Sequence, residues 1–393
     1  MTHLLNLAFH ALHSDVSLNF QMNRWFGWVG EPEMLEELRE AAARIRGYAD
    51  WKREFVGLAE RAQANGHPLR AAFHWRSADF FMFPGDPDRP KARRRFLDLV
   101  QAVYRIDEAD RALVPCVIHG RQGQLASLTL RARGRALDTI VFFGGFDSYI
   151  EELLPALMWL RDAGFDVIAF EGPGQGSTLH DGALPMTPDW HLPVRAVLDH
   201  FGVAQCTLAG LSLGGCLAIR AAAFEPRVRR VIAYDILTDF FEVVFRQAHP
   251  VVRGVVRTLL QMRAGSAVNL LARVASRRSP VMQWGLAQGM SVTGKEDPYS
   301  FLRETQRYRT ADLSHRLEQD VLLLAGATDH FVPLHQLVDQ QLSLRSARSI
   351  TARIFTEAES AASHCQVGNY PLAFEVIVDW LRAMLGTRAR LAG

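Results

Sequence analysis

Over roughly the first hundred residues, apolar side chains recur every three or four positions. Leu35, Leu38, Ala42 and Ile45 within MLEELREAAARIRGYADWKREFVGLAERAQANG show the pattern. That spacing puts them on one face of a helix, and the abundant Ala and Leu favour the same state. The segment RSADFFMFPGDPDRPKARRRFLDLVQAVYR then reads as another amphipathic stretch, a turn rich in Pro, Gly and Asp, and a further helix. Residues 1–110 are thus predicted to form a helical cap domain in which nothing alternates like a strand.

Near residue 112 the period shortens. VPCVIHG, QLASLTLRARG and DTIVFFGG are short β-type runs separated by turns, and the change of period marks a domain boundary. Helix SYIEELLPALMWLRDAG, strand DVIAFEG, helix HLPVRAVLDHFG, strand CTLAG, helix LGGCLAIRAAAF and strand RVIAYDI follow in turn. Continuous apolar strands alternating with amphipathic helices predict an α/β domain over residues 111–393, its mainly parallel sheet covered on both faces. From about 237 to 317 the alternation stops and the chain reads as helical, before VLLLAG resumes the sheet. Helices inserted between two strands of one sheet build a lid over the strand ends, where open α/β sheets bind ligands.

Composition narrows the function classes. The chain has 393 residues, 49% of them hydrophobic and 22% charged, and 44 basic residues against 42 acidic ones leave a net charge of +2. This describes a soluble globular chain too long for one average domain. With no overall field to gather nucleic acid or an anionic membrane, neither is expected as a partner. No window approaches the ~18 consecutive apolar residues of a membrane span. The apolar start MTHLLNLAFHALHSD has no basic segment ahead of it and is broken by His and Asn, so a cytoplasmic location is expected. Cys116, Cys206, Cys216 and Cys365 lie far apart without metal-ligand spacing, which argues against a disulfide framework or structural zinc.

The strongest chemical signal is Gly210-Leu211-Ser212-Leu213-Gly214, set between the strand CTLAG and the helix LGGCLAIRAAAF. In that setting the pattern marks a nucleophile on a strained strand-to-helix turn. Gly210 and Gly214 relieve crowding, and the helix dipole favours developing negative charge. A serine hydroxyl needs a base, and the base an orienting acid, in the chain order Ser, acid, His. Asp329, in LLLAGATDHFVP, follows an apolar strand, and His364, in FTEAESAASHCQVG, follows the last strand. Both are expected on loops at the sheet edge where Ser212 emerges. His330 is a rival base, ranked lower because neighbours at a strand end point in different directions.

Oxyanion charge needs preorganised donors. Gly144-Gly145-Phe146-Asp147, directly after TIVFF, is placed to supply one backbone N–H from Phe146, and Leu213, next after the nucleophile, supplies a second. The glycine-rich EGPGQG after DVIAF has neither the ending of a nucleotide loop nor the spacing of a dinucleotide fingerprint, and is read as structural. No residue pattern asks for a cofactor or a metal.

Taken together, GGFDSYIEELLP, EGPGQGSTL, GLSLGG, QWGLAQGMSVTGKEDPYSFLRETQRYRTADLSHRL, AGATDHFVP and HCQVGN resemble the α/β-hydrolase superfamily over residues 112–385. Within it they look like the branch containing fungal polyketide-shortening hydrolases and the bacterial dihydroxy-pseudooxynicotine hydrolase. RSADFFMFPGDPDRPKARRRF is similar to the N-terminal helical segment of that branch. The resemblance implies an α/β-hydrolase fold with a mainly parallel eight-stranded sheet, and N-terminal and inserted helices that close together over Ser212. It also implies that some members hydrolyse a carbon–carbon bond next to a ketone. Some members add an acid after the sixth strand; Asp235, Asp239 and Glu242 in YDILTDFFEVV are the candidates, and no motif match picks one.

The expected function is a cofactor-independent serine hydrolase that forms an acyl-enzyme with a small apolar or aromatic acyl substrate. Cleavage of a carbon–carbon bond in a β-diketone or acyl-aromatic, polyketide-like compound leads. A carboxylesterase or thioesterase would use the same residues with another leaving group, and a degenerate hydrolase acting as a binding or scaffold protein is the non-enzymatic alternative. Trp25, Trp28, Phe80, Phe81, Phe240, Phe241 and Trp284 suit a bulky substrate, although core packing is the simpler account. Oligomeric state is not legible, though the N-terminal helices could support a homodimer.

Overall fold

The computed structural model describes residues 8–391, apart from Ala183 and Gln247. The first helix, α1 (Val16–Val29), is started by Asp15, whose Oδ1 accepts the N–H of Leu18 at 3.0 Å. Such a cap contributes about 1 kcal/mol. Residues 8–15 are not helical, so the helical run begins later than expected. They are instead tied back onto α1: the side chain of Asn19 accepts the N–H groups of Leu12 and His13, and that of Asn23 accepts His10. The expectation for residues 1–7 lies outside the described residues.

Four more helices follow, α2 (Pro32–Arg44), α3 (Tyr48–Ala64), α4 (Pro68–Phe80) and α5 (Arg89–Tyr104). Proline opens α2, α4 and α5, where its missing N–H costs nothing. From Arg111 the chain builds β1 (Arg111–Ile118), β2 (Arg121–Leu130), β3 (Thr139–Phe143), α6 (Leu154–Asp162), β4 (Asp166–Phe170), α7 (Gly176–His180), α8 (His191–His200), β5 (Cys206–Leu211), α9 (Leu213–Ala222) and β6 (Val228–Tyr234). Five inserted helices come next: α10 (Phe240–Val244), α11 (Pro250–Gln261), α12 (Gly265–Arg278), α13 (Pro280–Thr293) and α14 (Pro298–Thr305). Then β7 (Asp320–Gly326), α15 (His335–Ser343), β8 (Ser349–Phe355) and α16 (Tyr370–Leu391) follow.

The eight strands form one sheet in the order β1-β2-β4-β3-β5-β6-β7-β8. All strands from β3 to β8 run parallel, and β1 and β2 add an antiparallel edge. This is the mainly parallel α/β architecture that the alternating pattern predicted. Because side chains alternate along a strand, Ile140 and Phe142 enter one face while Val141 and Phe143 enter the other. The first face shares one continuous core with α1–α5, α6 and α16, and Trp25, Trp51, Phe73 and Phe96 are wholly buried in it. The N-terminal helices are therefore fused to the sheet through a common core. Trp25, Trp28, Phe80 and Phe81 all pack into this core.

The inserted helices have a small core of their own, in which Phe241, Phe245, Leu260 and Phe301 meet, with Phe146 from the sheet edge packed against it. Since the strands from β3 onward run parallel, the loops after β3, β5, β6, β7 and β8 gather at one edge of the sheet, where ligands bind in folds of this kind.

Candidate active site

Ser212 joins β5 to α9 with φ 59° and ψ −123°. A non-glycine residue held there costs about 1–3 kcal/mol, which the surroundings must offset. The Ser212 N–H donates to the Tyr234 carbonyl of β6 at 2.8 Å, and the Ser212 carbonyl accepts the N–H of Gly215 at 2.7 Å. A Cβ at Gly210 would run into the Gly214 carbonyl, and one at Gly214 would come within 2.6 Å of the Gly144 carbonyl. Only glycine at both positions lets the turn close this tightly.

Three loops converge on the serine. His364 Nε2 lies 2.8 Å from Ser212 Oγ, and His364 Nδ1 lies 2.6 Å from Asp329 Oδ2. The N–H groups of Phe331 and Val332 donate to Asp329 Oδ1 at 2.6 and 3.0 Å, which fixes that carboxylate. Asp235, with φ 67° at the end of β6, brings its Oδ2 to 2.7 Å from the same Nδ1. Its Oδ2 also accepts the Cys365 N–H at 2.5 Å, while the Tyr234 hydroxyl donates to the Cys365 carbonyl at 3.2 Å. The end of β6 thus grips the backbone on both sides of Cys365 and holds the His364 loop.

Of the three acids after the sixth strand, only Asp235 joins this group. Asp239 caps α10 by accepting the Glu242 N–H at 3.2 Å. Glu242 pairs with Arg253 and His335, each at 3.1 Å. Their side chains are committed where the inserted helices leave the core.

Burial alone would depress the His364 pKa, but the carboxylates of Asp329 and Asp235 outweigh it and hold the imidazole well above its ordinary range. Burial pushes Asp329 up to about 6, helped by the charge of Asp235 and opposed by that of His364. Asp235 is held below the usual range against its own burial, chiefly by the charge of His364 and its hydrogen bonds. Two acids on one base titrate as a unit. His330, by contrast, is pushed down to about 3 by burial and by the nearby His364. Its ring packs on Phe20 and Phe331, with centroids 4.7 and 3.9 Å away, and its Nε2 is buried without a hydrogen-bond partner.

Among the described residues, the grouping with metal-ligand chemistry is Asp235, His364 and Cys365, whose ligand atoms lie within 4.8 Å of one another. Nδ1 of His364 is already claimed by two carboxylates, and burial pushes the Cys365 thiol up to about 11. The group has the chemistry of a supported base, not of a thiolate site.

The loop after β3 lies against Ser212. A Cβ on Gly145 would sit 3.0 Å from Ser212 Cβ and 3.3 Å from Leu213 N. Leu213 opens α9, so its N–H has no acceptor within the helix. Gln175 Nε2 donates to the carbonyls of Gly144 and Gly145, both at 2.7 Å. In a trans peptide the N–H points opposite to the C=O, so the Phe146 N–H is directed away from Gln175. EGPGQG, read from sequence as a plain structural loop, supplies this strut.

A second brace comes from the N-terminal helices. Arg76 of α4, only 2% exposed, donates to the Asp147 carbonyl at 2.7 Å and to Asp79 at 2.9 Å, and pairs with Glu152. Glu152 also takes Arg24 of α1 at 2.7 Å and accepts the Tyr149 N–H at 3.2 Å. Sequence reasoning missed Gln175 and Arg76. Their signal was a polar side chain inside a stretch that is otherwise buried, but nothing local told which backbone they would reach. Beside the loop runs a cleft of about 20 Å³, lined by Arg76, Phe80, Phe146, Tyr149, His180 and Trp284 among others. It has room for about one water.

Comparison with known proteins bears on the family and the fold. The profile of the alpha/beta hydrolase fold matches residues 142–348, just over half of the chain. Hydrolyase poxO of Penicillium oxalicum is 29% identical over 323 residues, covering 71% of this chain and 74% of its own. The 20-hydroxy-prefusarin hydrolase of Gibberella moniliformis is 26% identical over 369 residues, covering 82% and 84%. The crystal structure of the 2,6-dihydroxy-pseudo-oxynicotine hydrolase shares the fold at a TM-score of 0.59 and 21% identity, over 88% of this chain and 91% of that one. On sequence profile, sheet topology and strand-to-helix serine turn alike, the chain is a hydrolase belonging to the alpha/beta hydrolase fold family.

Proposed function

We propose that the protein is a cofactor-independent serine hydrolase working through an acyl-enzyme on Ser212. The observation that carries this reading is the unbroken hydrogen-bonded chain from Ser212 Oγ through both ring nitrogens of His364 to Asp329. His364 Nε2 takes the Ser212 proton as Oγ adds to the substrate carbonyl carbon, and Asp329 fixes the tautomer that leaves Nε2 free to accept it. The N–H groups of Phe146 and Leu213 receive the oxyanion. As the intermediate collapses, the bond to the leaving group breaks and His364 returns the proton to that group. Water, deprotonated by His364, then attacks the acyl carbon, releases a carboxylic acid and restores Ser212. Asp235 acts as a second carboxylate on His364, raising its basicity.

The leaving group is carbon in our reading: a β-diketone or acyl-aromatic substrate, whose departing carbon is stabilised as an enol or phenol. This rests on the resemblance of the sequence strings to the carbon–carbon hydrolase branch. Substrate entering by the cleft beside the Phe146 loop, which holds about one water, would require the N-terminal and inserted helices to part. The test is product analysis on an aryl ester, an acyl thioester and a β-diketone with the same acyl group. The β-diketone should show the highest kcat/KM. Turnover of the ester or thioester with the diketone left intact would replace this reading with the esterase or thioesterase one.

A further inference from the structure

Between Glu242 and Lys295 the sequence contains seven arginines and no aspartate or glutamate, in a chain whose net charge is only +2. The remainder is therefore net acidic, and the insertion carrying α11, α12 and α13 is a basic stretch without acidic residues. Six of these arginines are exposed, and among the described residues only the half-buried Arg253 has a carboxylate partner, Glu242.

The same helices leave much of their apolar surface uncovered. Val251, Val255 and Met262 on and just beyond α11 are 64%, 47% and 70% exposed, and Leu270 and Val274 on α12 are 56% and 42% exposed. Only Val256 and Leu260 of α11, and Val268 of α12, are buried. Packing against the core thus uses a narrow strip of each helix. On α12, Leu270 and Val274 stand one turn apart, beside Arg273 and Arg277, also one turn apart. Exposed aliphatic surface interleaved with unpaired cations marks an interaction surface.

We propose that the outer face of α11 and α12 docks on anionic phospholipid membranes. Charge selects the occupant. A second copy joined by a two-fold axis through this face would set arginine against arginine. A protein partner is typically held by tryptophan, tyrosine and arginine anchors together; α11 and α12 offer arginines but no aromatic residue, and their exposed apolar side chains are aliphatic. An anionic bilayer matches both components: the aliphatic tips enter the headgroup boundary, and the arginines reach the phosphates. Among the described residues no helix is long and apolar enough to cross a membrane, so the contact is peripheral. The balanced charge of the whole chain, which argued against a membrane partner, conceals this polarity. The inner side of the same insertion places Trp284 and Gln288 on the cleft beside the Phe146 loop.

The test is sedimentation of the full-length chain with vesicles of phosphatidylcholine alone and with vesicles in which about a quarter is phosphatidylglycerol. Partition onto the anionic vesicles should be greater by roughly tenfold or more and should fall as salt is raised. The triple variant Arg273→Glu, Arg277→Glu, Arg278→Glu and the double variant Leu270→Ser, Val274→Ser should each lose it, with an unchanged near-ultraviolet spectrum and melting midpoint. The proposal is overturned by absence of binding to anionic vesicles, by equal binding to both lipids, or by full binding of the triple variant. It is also overturned if sedimentation equilibrium shows a dimer that the double variant dissociates. No readout depends on turnover, so the outcome is independent of the role of Ser212.

Discussion

Asp235 and Asp329 converge on a single atom: their Oδ2 oxygens lie 2.7 and 2.6 Å from Nδ1 of His364. One arrives from the end of β6 and the other from the loop after β7, so adjacent parallel strands deliver both acids to the same ring. One N–H faces two carboxylates, and the surplus negative charge favours the protonated imidazole.

This arrangement sets the pH dependence. If His364 is the general base, as proposed, it works only when neutral, and activity should be lost as pH falls through its pKa, which is raised above its ordinary 6.5. The acidic limb of kcat/KM should therefore lie on the alkaline side of that value. Asp235→Asn removes one charge but keeps an oxygen for the Cys365 N–H, and should move the limb to lower pH. An unmoved limb would mean that Asp235 only braces the loop.

His330 and His364 make opposite predictions. His364→Ala should lower kcat by about three to four orders of magnitude. His330 is held neutral against Phe20 and Phe331, so His330→Ala should cost less than about tenfold. Steady-state kinetics of the two folded variants decides, and the reverse ranking would identify His330 as the base.

Gln175 touches no expected substrate atom, yet it fixes the carbonyls of Gly144 and Gly145. Gln175→Ala should lower kcat about 10–100-fold, somewhat less than loss of an oxyanion donor itself, with KM nearly unchanged. A rise in KM alone would remove Gln175 from the support of the oxyanion loop.

Arg76 is expected to show itself in stability. Arg76→Met leaves Glu152 with Arg24 alone and Asp79 with Arg89 alone, both carboxylates being wholly buried, and should cost about 3 kcal/mol in urea unfolding. Adding Glu152→Gln should recover part of that loss, since the two residues are directly paired. Strictly additive losses would show that the pair is not coupled.

What the sequence disclosed follows from the range of each signal. Strands such as TIVFF and VLLLAG were legible because a strand buried on both faces is a continuous apolar run. Ser212 was legible because its turn chemistry is local, and Asp329 and His364 because each follows such a strand. Asp235 could not be separated from Asp239 and Glu242, because what distinguishes it is a positive φ and a contact with the distant His364 loop. Arg76 and Gln175 act on backbone carbonyls of a loop remote in sequence, which neither periodicity nor motif encodes. The start of the helical region was placed too early because Asn19 and Asn23 cap the preceding segment from inside α1.

The central claim is that Ser212 is an activated nucleophile, and intact-protein mass spectrometry after reaction with a small fluorophosphonate tests it most directly. One adduct per chain is expected, mapped to Ser212, formed slowly in His364→Ala and not at all in Ser212→Ala. Well-folded wild-type protein that takes up no label, or label that persists in Ser212→Ala, would contradict it.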